Sequence, residues 1–154
     1  MKTYSREGLW KNPSEWLTYL SGTPAIQLLK TTTLTELSIG ETEETAENDV
    51  VRYGTGYFHA PVAGTYTFSC VADDEFIMQL SNKKNNANDA NLQDLLNHNS
   101  WTSSHYNPNV RVNLTTVEAT VTLDTGYYYF KFAHIDTGGT NFMKVMVQMP
   151  SLHA

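Results

Sequence analysis

Two adjacent carboxylates, Asp73 and Asp74, interrupt the stretch "FSCVADDEFIMQLS" at residues 68–81. Up to that point Tyr66, Phe68, Cys70 and Ala72 fall on one face of a strand, and Thr65, Thr67, Ser69 and Val71 on the other. Beyond it the alternation resumes, with Phe76, Met78 and Leu80 against Glu75, Ile77 and Gln79. Two like charges held side by side repel one another unless a cation sits between them. An all-oxygen cluster suits Ca²⁺, which takes about 6–8 oxygen ligands. Neighbours on an extended chain point to opposite faces, so joint ligation requires the backbone to leave the regular pleat between them. The break in the pattern is consistent with that. The alternative is a surface turn with two solvated carboxylates. An acid–base pair is the weaker reading, because glycosidase carboxylates stand roughly 5 Å or more apart, usually on different strands.

A third carboxylate closes another alternating run. Tyr128, Phe130, Phe132, His134 and Asp136 share one face, and the first three are core candidates. An acid at the end of such a series is badly placed unless it meets solvent or a cation. It is expected at the rim of the fold, with the Thr137 side chain turned away from any metal shell. His134 reads as a core or edge histidine, or as a support for a metal ligand. The following "TGGTN" is flexible backbone, and Gly138–Gly139 allows positive φ as a plain hairpin or as a close approach to a ligand.

Other chemistry is thinly represented. There is no G-x-S-x-G elbow, no H-E-x-x-H and no phosphate-cradling glycine loop, so an enzyme is not expected. His98 and His105 share a loop without a cysteine partner, which does not make a zinc site. The acidic run "GETEETAEND" lacks EF-hand spacing and reads as a solvated loop. Trp101 and Tyr106 could stack on a sugar ring, or Trp101 could cap the core beneath its loop. Asn113 opens a formal glycosylation sequon, "NLT", which matters only in a secreted context.

The elements that must position these residues are mostly strands. A chain of 154 residues with 17% charged and 12% aromatic residues reads as one folded, β-rich domain. A net charge of −6 argues against nucleic acid and allows metal cations or neutral sugars. No apolar run approaches the roughly 20 residues of a membrane span, so membrane insertion is not expected. "MKTYSREGLW" lacks the apolar stretch of a signal peptide. The lone Cys70 lies on an apolar strand face and should be buried and inert.

Strand-like runs occupy "VVRYGTGYFHAP", "GTYTFSCVAD", "EFIMQLS", "VEATVTLDTG", "YYYFKFAHID" and "NFMKVMVQMP", with one or two more within residues 25–38. Residues 1–24 are expected to be irregular and pinned by Trp10 and Trp16. "DANLQDLLNH", inside the long Asn-rich segment 82–109, reads as one short helix. Six or more antiparallel strands with one minor helix make an all-β antiparallel sandwich.

"RYGTGYFHAPVAGTYTFSCVADDEFIMQLS" resembles the PA14 domain, and so does the closing "VTLDTGYYYFKFAHIDTGGTNFMKVMVQMP". The "GLW" of the opening segment also fits, and the His-x-Asp-x-Gly-Gly form of the last loop is most similar to fibrocystin-type members. The resemblance implies one domain over residues 1–154, a piece of a longer extracellular or cell-surface protein. It implies a Ca²⁺-dependent lectin role in recognition or adhesion, with Asp73 and Asp74 joined by a cis peptide and chelating the ion. By position, Asp136 and the carbonyls of Gly138 and Thr140 complete the shell. Thr137, Gly139 and Asn141, with Trp101 and Tyr106, would contact a neutral hexose or glycan. Asp136 stands where yeast adhesins carry Asn, which adds negative charge and favours the metal. Other PA14 domains bind no sugar, so a structural or protein-interaction domain of an extracellular or ciliary protein is the alternative.

Overall fold

In a computed structural model the described residues are 1–39, 49–98, 117–138 and 142–151. Their strands are β1 (Lys2–Ser5), β2 (Leu28–Thr31), β3 (Ser38–Ile39), β4 (Val50–Ala60), β5 (Gly64–Asp73), β6 (Glu75–Ser81), β7 (Leu92–His98), β8 (Val117–Leu123), β9 (Gly126–Asp136) and β10 (Phe142–Gln148). They form two sheets, ordered β2-β1-β4-β9-β6-β7 and β3-β10-β5-β8. Every pairing between them is antiparallel. The all-β sandwich expected from the strand pattern is the fold observed.

Alternation decides what fills the space between the sheets. Tyr66, Phe68, Cys70 and Ala72 of β5 meet Phe76, Met78 and Leu80 of β6 and Tyr128 and Phe132 of β9 in one core. Burial pushes the Cys70 thiol up to about 12, so it stays protonated and inert. Gly54 and Gly56 are small for a reason: the rings of Phe132 and Phe130 lie where their Cβ atoms would be.

The N-terminal segment differs from expectation. Residues Pro13–Ser21 form a helix, α1, with a capping box between Asn12 and Glu15 and Pro13 in its first turn. Its apolar face, Trp16, Leu17 and Leu20, packs on Val51, Ile77, Ala133 and Ile135, the outer face of the six-stranded sheet. Trp16 is only 1% exposed, as an anchor should be, whereas Trp10 is 81% exposed and lies under the Arg6 guanidinium.

The short helix expected over 89–98 is instead a 3₁₀ turn at Asp89–Asn91 followed by β7. The cause is a bulge. Met78 pairs with Leu96 and Gln79 with Asp94, so Leu95 is an extra residue in the ladder. That insertion breaks the period of two and gives "LQDLL" a helical look.

Candidate functional site

Asp73 is the last residue of β5 in one sheet, and Glu75 is the first of β6 in the other. Asp73–Asp74 is therefore the corner where the chain changes sheets, and the peptide between them is cis. β9 delivers Asp136 to the same end of the sandwich, where Thr137 and Gly138 leave the strand. Phe142, opening β10, stands opposite Asp73.

The three carboxyl groups are buried together. Asp73 and Asp74 are nearly enclosed, and Asp136 is 0% exposed. Asp136 does not sit at the rim, contrary to expectation: the end of β9 carries it into the interior. Its Oδ1 accepts a long hydrogen bond from the Gly138 N–H at 3.4 Å, and its Oδ2 has no partner. Gly138 has φ of +142°, a conformation that favours glycine. The Asp74 Oδ2 accepts from both the N–H and the hydroxyl of Thr137, at 2.7 and 2.8 Å. Thr137 thus does not turn away from the acidic cluster; both of its donors close the loop onto it.

Burial raises the Asp73 pKa to about 7, helped by the hydrogen bond to the Asp74 side chain and by the charges of Asp74 and Asp136. Asp136 is raised to about 6, again first by burial. The Gly138 hydrogen bond and Arg52 oppose the rise, while Asp74 and Asp49 add to it. The next carboxyl along, Glu75, is also raised, chiefly by burial. Each of these groups is penalised when ionised, and a nearby cation would reverse that penalty.

Three polar side chains, Arg52, His134 and His98, stand in one cross-strand row with Phe76 on the inner face of the six-stranded sheet. Arg52 pairs in register with His134, His134 with Phe76, and Phe76 with His98. Arg52 Nη1 donates to His134 Nδ1 at 3.1 Å, and His134 Nε2 donates to the Asp73 carbonyl at 2.8 Å. His134 is a satisfied interior histidine, with its pKa pushed down to about 3 by burial and by the Arg52 charge. Hydrogen bonds to the Asp73 and Phe142 main chain act in the opposite sense. His98 is also buried, and burial lowers its pKa against the opposing pull of the Asp74 and His98 main chain, although neither ring nitrogen reaches a partner in good hydrogen-bond geometry.

Arg52 escaped sequence reasoning although a signal was present. It shares strand parity with Gly54, Gly56 and Phe58, which placed a cation on an inward face.

The donors are all hard oxygens, and an orphaned carboxylate oxygen lies among them, so the residues fit Ca²⁺ in chemical type. Among the described residues no three Asp, Glu, His or Cys side chains form a metal-holding group by themselves. A full shell thus calls for main-chain oxygens. Of the residues expected to supply ligands or contacts, Thr140, Gly139, Asn141, Trp101 and Tyr106 lie outside the described residues.

The chain is similar in structure to the PA14 domain of MpAFP antifreeze protein. The TM-score is 0.61 at 16% identity, covering 99% of this chain and 82% of that one. A fainter likeness, TM-score 0.37 at 18% identity, links 81% of this chain to 75% of the K3 cleaved adhesin domain of Lys-gingipain from Porphyromonas gingivalis. No curated protein matches. The family model for the PA14 domain matches residues 6–151. The chain belongs to the PA14 domain family.

Proposed function

We propose that this PA14 domain is a Ca²⁺-dependent carbohydrate-binding module serving recognition or adhesion in an extracellular or cell-surface protein. The observation that carries the reading is the Asp136 Oδ2, a buried carboxylate oxygen without a partner beside the Asp73–Asp74 corner. Buried charge persists when it is paired or ligates a metal. Asp73, Asp74 and Asp136 would hold the ion, with the carbonyls of Gly138 and Thr140. Bound Ca²⁺ would supply positions at which vicinal hydroxyls of a neutral hexose replace water. Thr137, Gly139 and Asn141 would line that opening, and Trp101 or Tyr106 would offer an aromatic face. The role is binding and not catalysis. Among the described residues no helix is long and apolar enough to cross a membrane.

A glycan array run in Ca²⁺ and again in EDTA tests the reading. Binding of neutral glycans should appear only with Ca²⁺, with single-sugar affinity on the order of millimolar because few atoms make contact. Sugar binding that persists in EDTA would contradict it.

A second reading has its own observation. Thr137 ties itself to Asp74 through two hydrogen bonds, one from its N–H and one from its hydroxyl. A domain built for structure or protein contact, with a metal that only stiffens the loop, would use the same tie. It predicts a silent array in both buffers.

A further inference from the structure

A hydrogen-bonded relay from the Arg52 and His134 side chains to the Asp73 carbonyl links the two sheets at the acidic corner. Arg52 and His134 belong to β4 and β9 of the six-stranded sheet, while Asp73 ends β5 of the four-stranded sheet. Arg52 is 1% exposed and His134 0%. We propose that His134, oriented by Arg52, is a positioning residue that clamps the Asp73 carbonyl and so holds the Asp73–Asp74 corner ready for a divalent cation. The metal part of this inference rests on the Ca²⁺ reading above; the clamp itself does not.

Donor and acceptor rules fix the direction of both links, Arg52 to His134 and His134 to Asp73. A guanidinium only donates, so the His134 Nδ1 facing it must present its lone pair. The neutral ring then carries its proton on Nε2, aimed at the Asp73 carbonyl oxygen, which only accepts. One tautomer satisfies both contacts. The other would set N–H against N–H at Arg52 and a lone pair against a carbonyl at Asp73.

The clamp acts where the ordinary ladder gives out. Asp73 is the final residue of β5, and the next residue, Asp74, donates its N–H to the Ile135 carbonyl of β9 at 3.2 Å. Both polar groups of the corner peptide are thus held by β9, its C=O by the His134 ring and its N–H by the Ile135 main chain. Partners that orient metal ligands without touching the metal typically change affinity by about 10- to 100-fold when removed. Holding the ligands in place before the ion arrives lowers the ordering cost of binding.

Two kinds of measurement test this. In metal-free wild-type protein, ¹⁵N NMR of the imidazoles at neutral pH should show His134 as the Nε2–H tautomer, with that proton shielded from exchange. An Nδ1–H tautomer would overturn the proposal with no variant made.

The variants are H134Q and H134N. A Gln amide reaches far enough to donate to the Asp73 carbonyl and accept from Arg52; an Asn amide is one methylene too short. In EDTA, H134N should lose at least tenfold of the exchange protection at the Asp74 amide, and H134Q should restore most of it. In Ca²⁺ titrations by calorimetry, H134N should bind about 10- to 100-fold more weakly, with H134Q within a few-fold of wild type.

Equal Asp74 protection in H134N and wild type would show that His134 is only core filling and would overturn the proposal. If wild type binds no Ca²⁺ at all, the proposed function fails, while the metal-free tautomer and exchange results still decide the clamp.

Discussion

The two ends of β9 carry polar side chains on very different terms. At its start, Tyr127 stacks on His59 of β4 at 4.5 Å and 18°, and Tyr129 lies 5.6 Å from Tyr57. Tyr127 and Tyr57 stand exposed, so water satisfies their hydroxyls without any designed partner. At its other end His134 and Asp136 are sealed from solvent. There every polar atom needs a specified partner, and one left without costs about 1–3 kcal/mol. A tyrosine-rich sheet face explains itself by cross-strand packing. A buried acid with a vacant oxygen, beside two more acids, does not. The burial of the polar groups, and not the aromatic content, is therefore what singles out the end of the sheet where the proposed site lies.

The sharpest break of that comparison is the removal of both corner charges. Wild-type protein at about 100 times the Ca²⁺ dissociation constant should gain about 2.7 kcal/mol from mass action. For a domain of this length that is roughly 5–10 °C in melting temperature. D73N/D74N should show no Ca²⁺ shift in a thermal melt, because the ligands are gone. An unshifted wild type would refute the metal reading itself.

Asp136 should come next. D136A should weaken Ca²⁺ by at least about tenfold, roughly 1.4 kcal/mol, in a calorimetric titration. D136N removes a buried charge while keeping the shape, so its melting temperature in EDTA should be no lower than that of wild type. Wild-type Ca²⁺ affinity in D136A would assign the ion to Asp73 and Asp74 with some other partner.

T137V probes the loop tie. It deletes the hydroxyl bond to Asp74 Oδ2 and keeps the N–H bond. The cost should be about 1 kcal/mol in EDTA by chemical denaturation. Ca²⁺ affinity should stay within about threefold, because the main-chain donor still orients the carboxylate. A far larger loss of affinity would make the hydroxyl itself part of the site.

Much of this was legible in the residues, and the gaps have physical causes. The strands flanking Asp73–Asp74 announced themselves by a clean period of two, and so did β8, β9 and β10. The corner itself showed as a break between two such runs. β7 was hidden because the bulge at Leu95 destroyed its period. α1 was hidden for a weaker reason: N-P-S-E is a readable capping box, but the surrounding Trp, Pro and Gly suggested irregular chain. Strand alternation put Asp136 on the inward face, yet alternation along one strand does not say how deep its end lies. The contact of Arg52 with His134 needs the β4–β9 register, which joins residues 82 positions apart and cannot be read from either strand alone.

The smallest effect should come from the solvent end of β9, and it tests whether the two ends are independent. Y127A removes a ring stacked on His59, a cross-strand pair of the kind that contributes about 0.2–1 kcal/mol. Tyr127 lies nine residues before Asp136 on the same strand, which at about 3.3 Å per residue is roughly 30 Å. Between them runs the packed interior of the sandwich, with Phe132 and Tyr128 of β9 fixed in its core. A lost surface ring should relax locally and leave the corner in place. Y127A should therefore lower stability by no more than about 1 kcal/mol, and should leave Ca²⁺ affinity and Ca²⁺-dependent glycan binding at wild-type levels. A tenfold change in either binding measurement would show that the exposed aromatic end takes part in recognition, and the contrast between the two ends would fail.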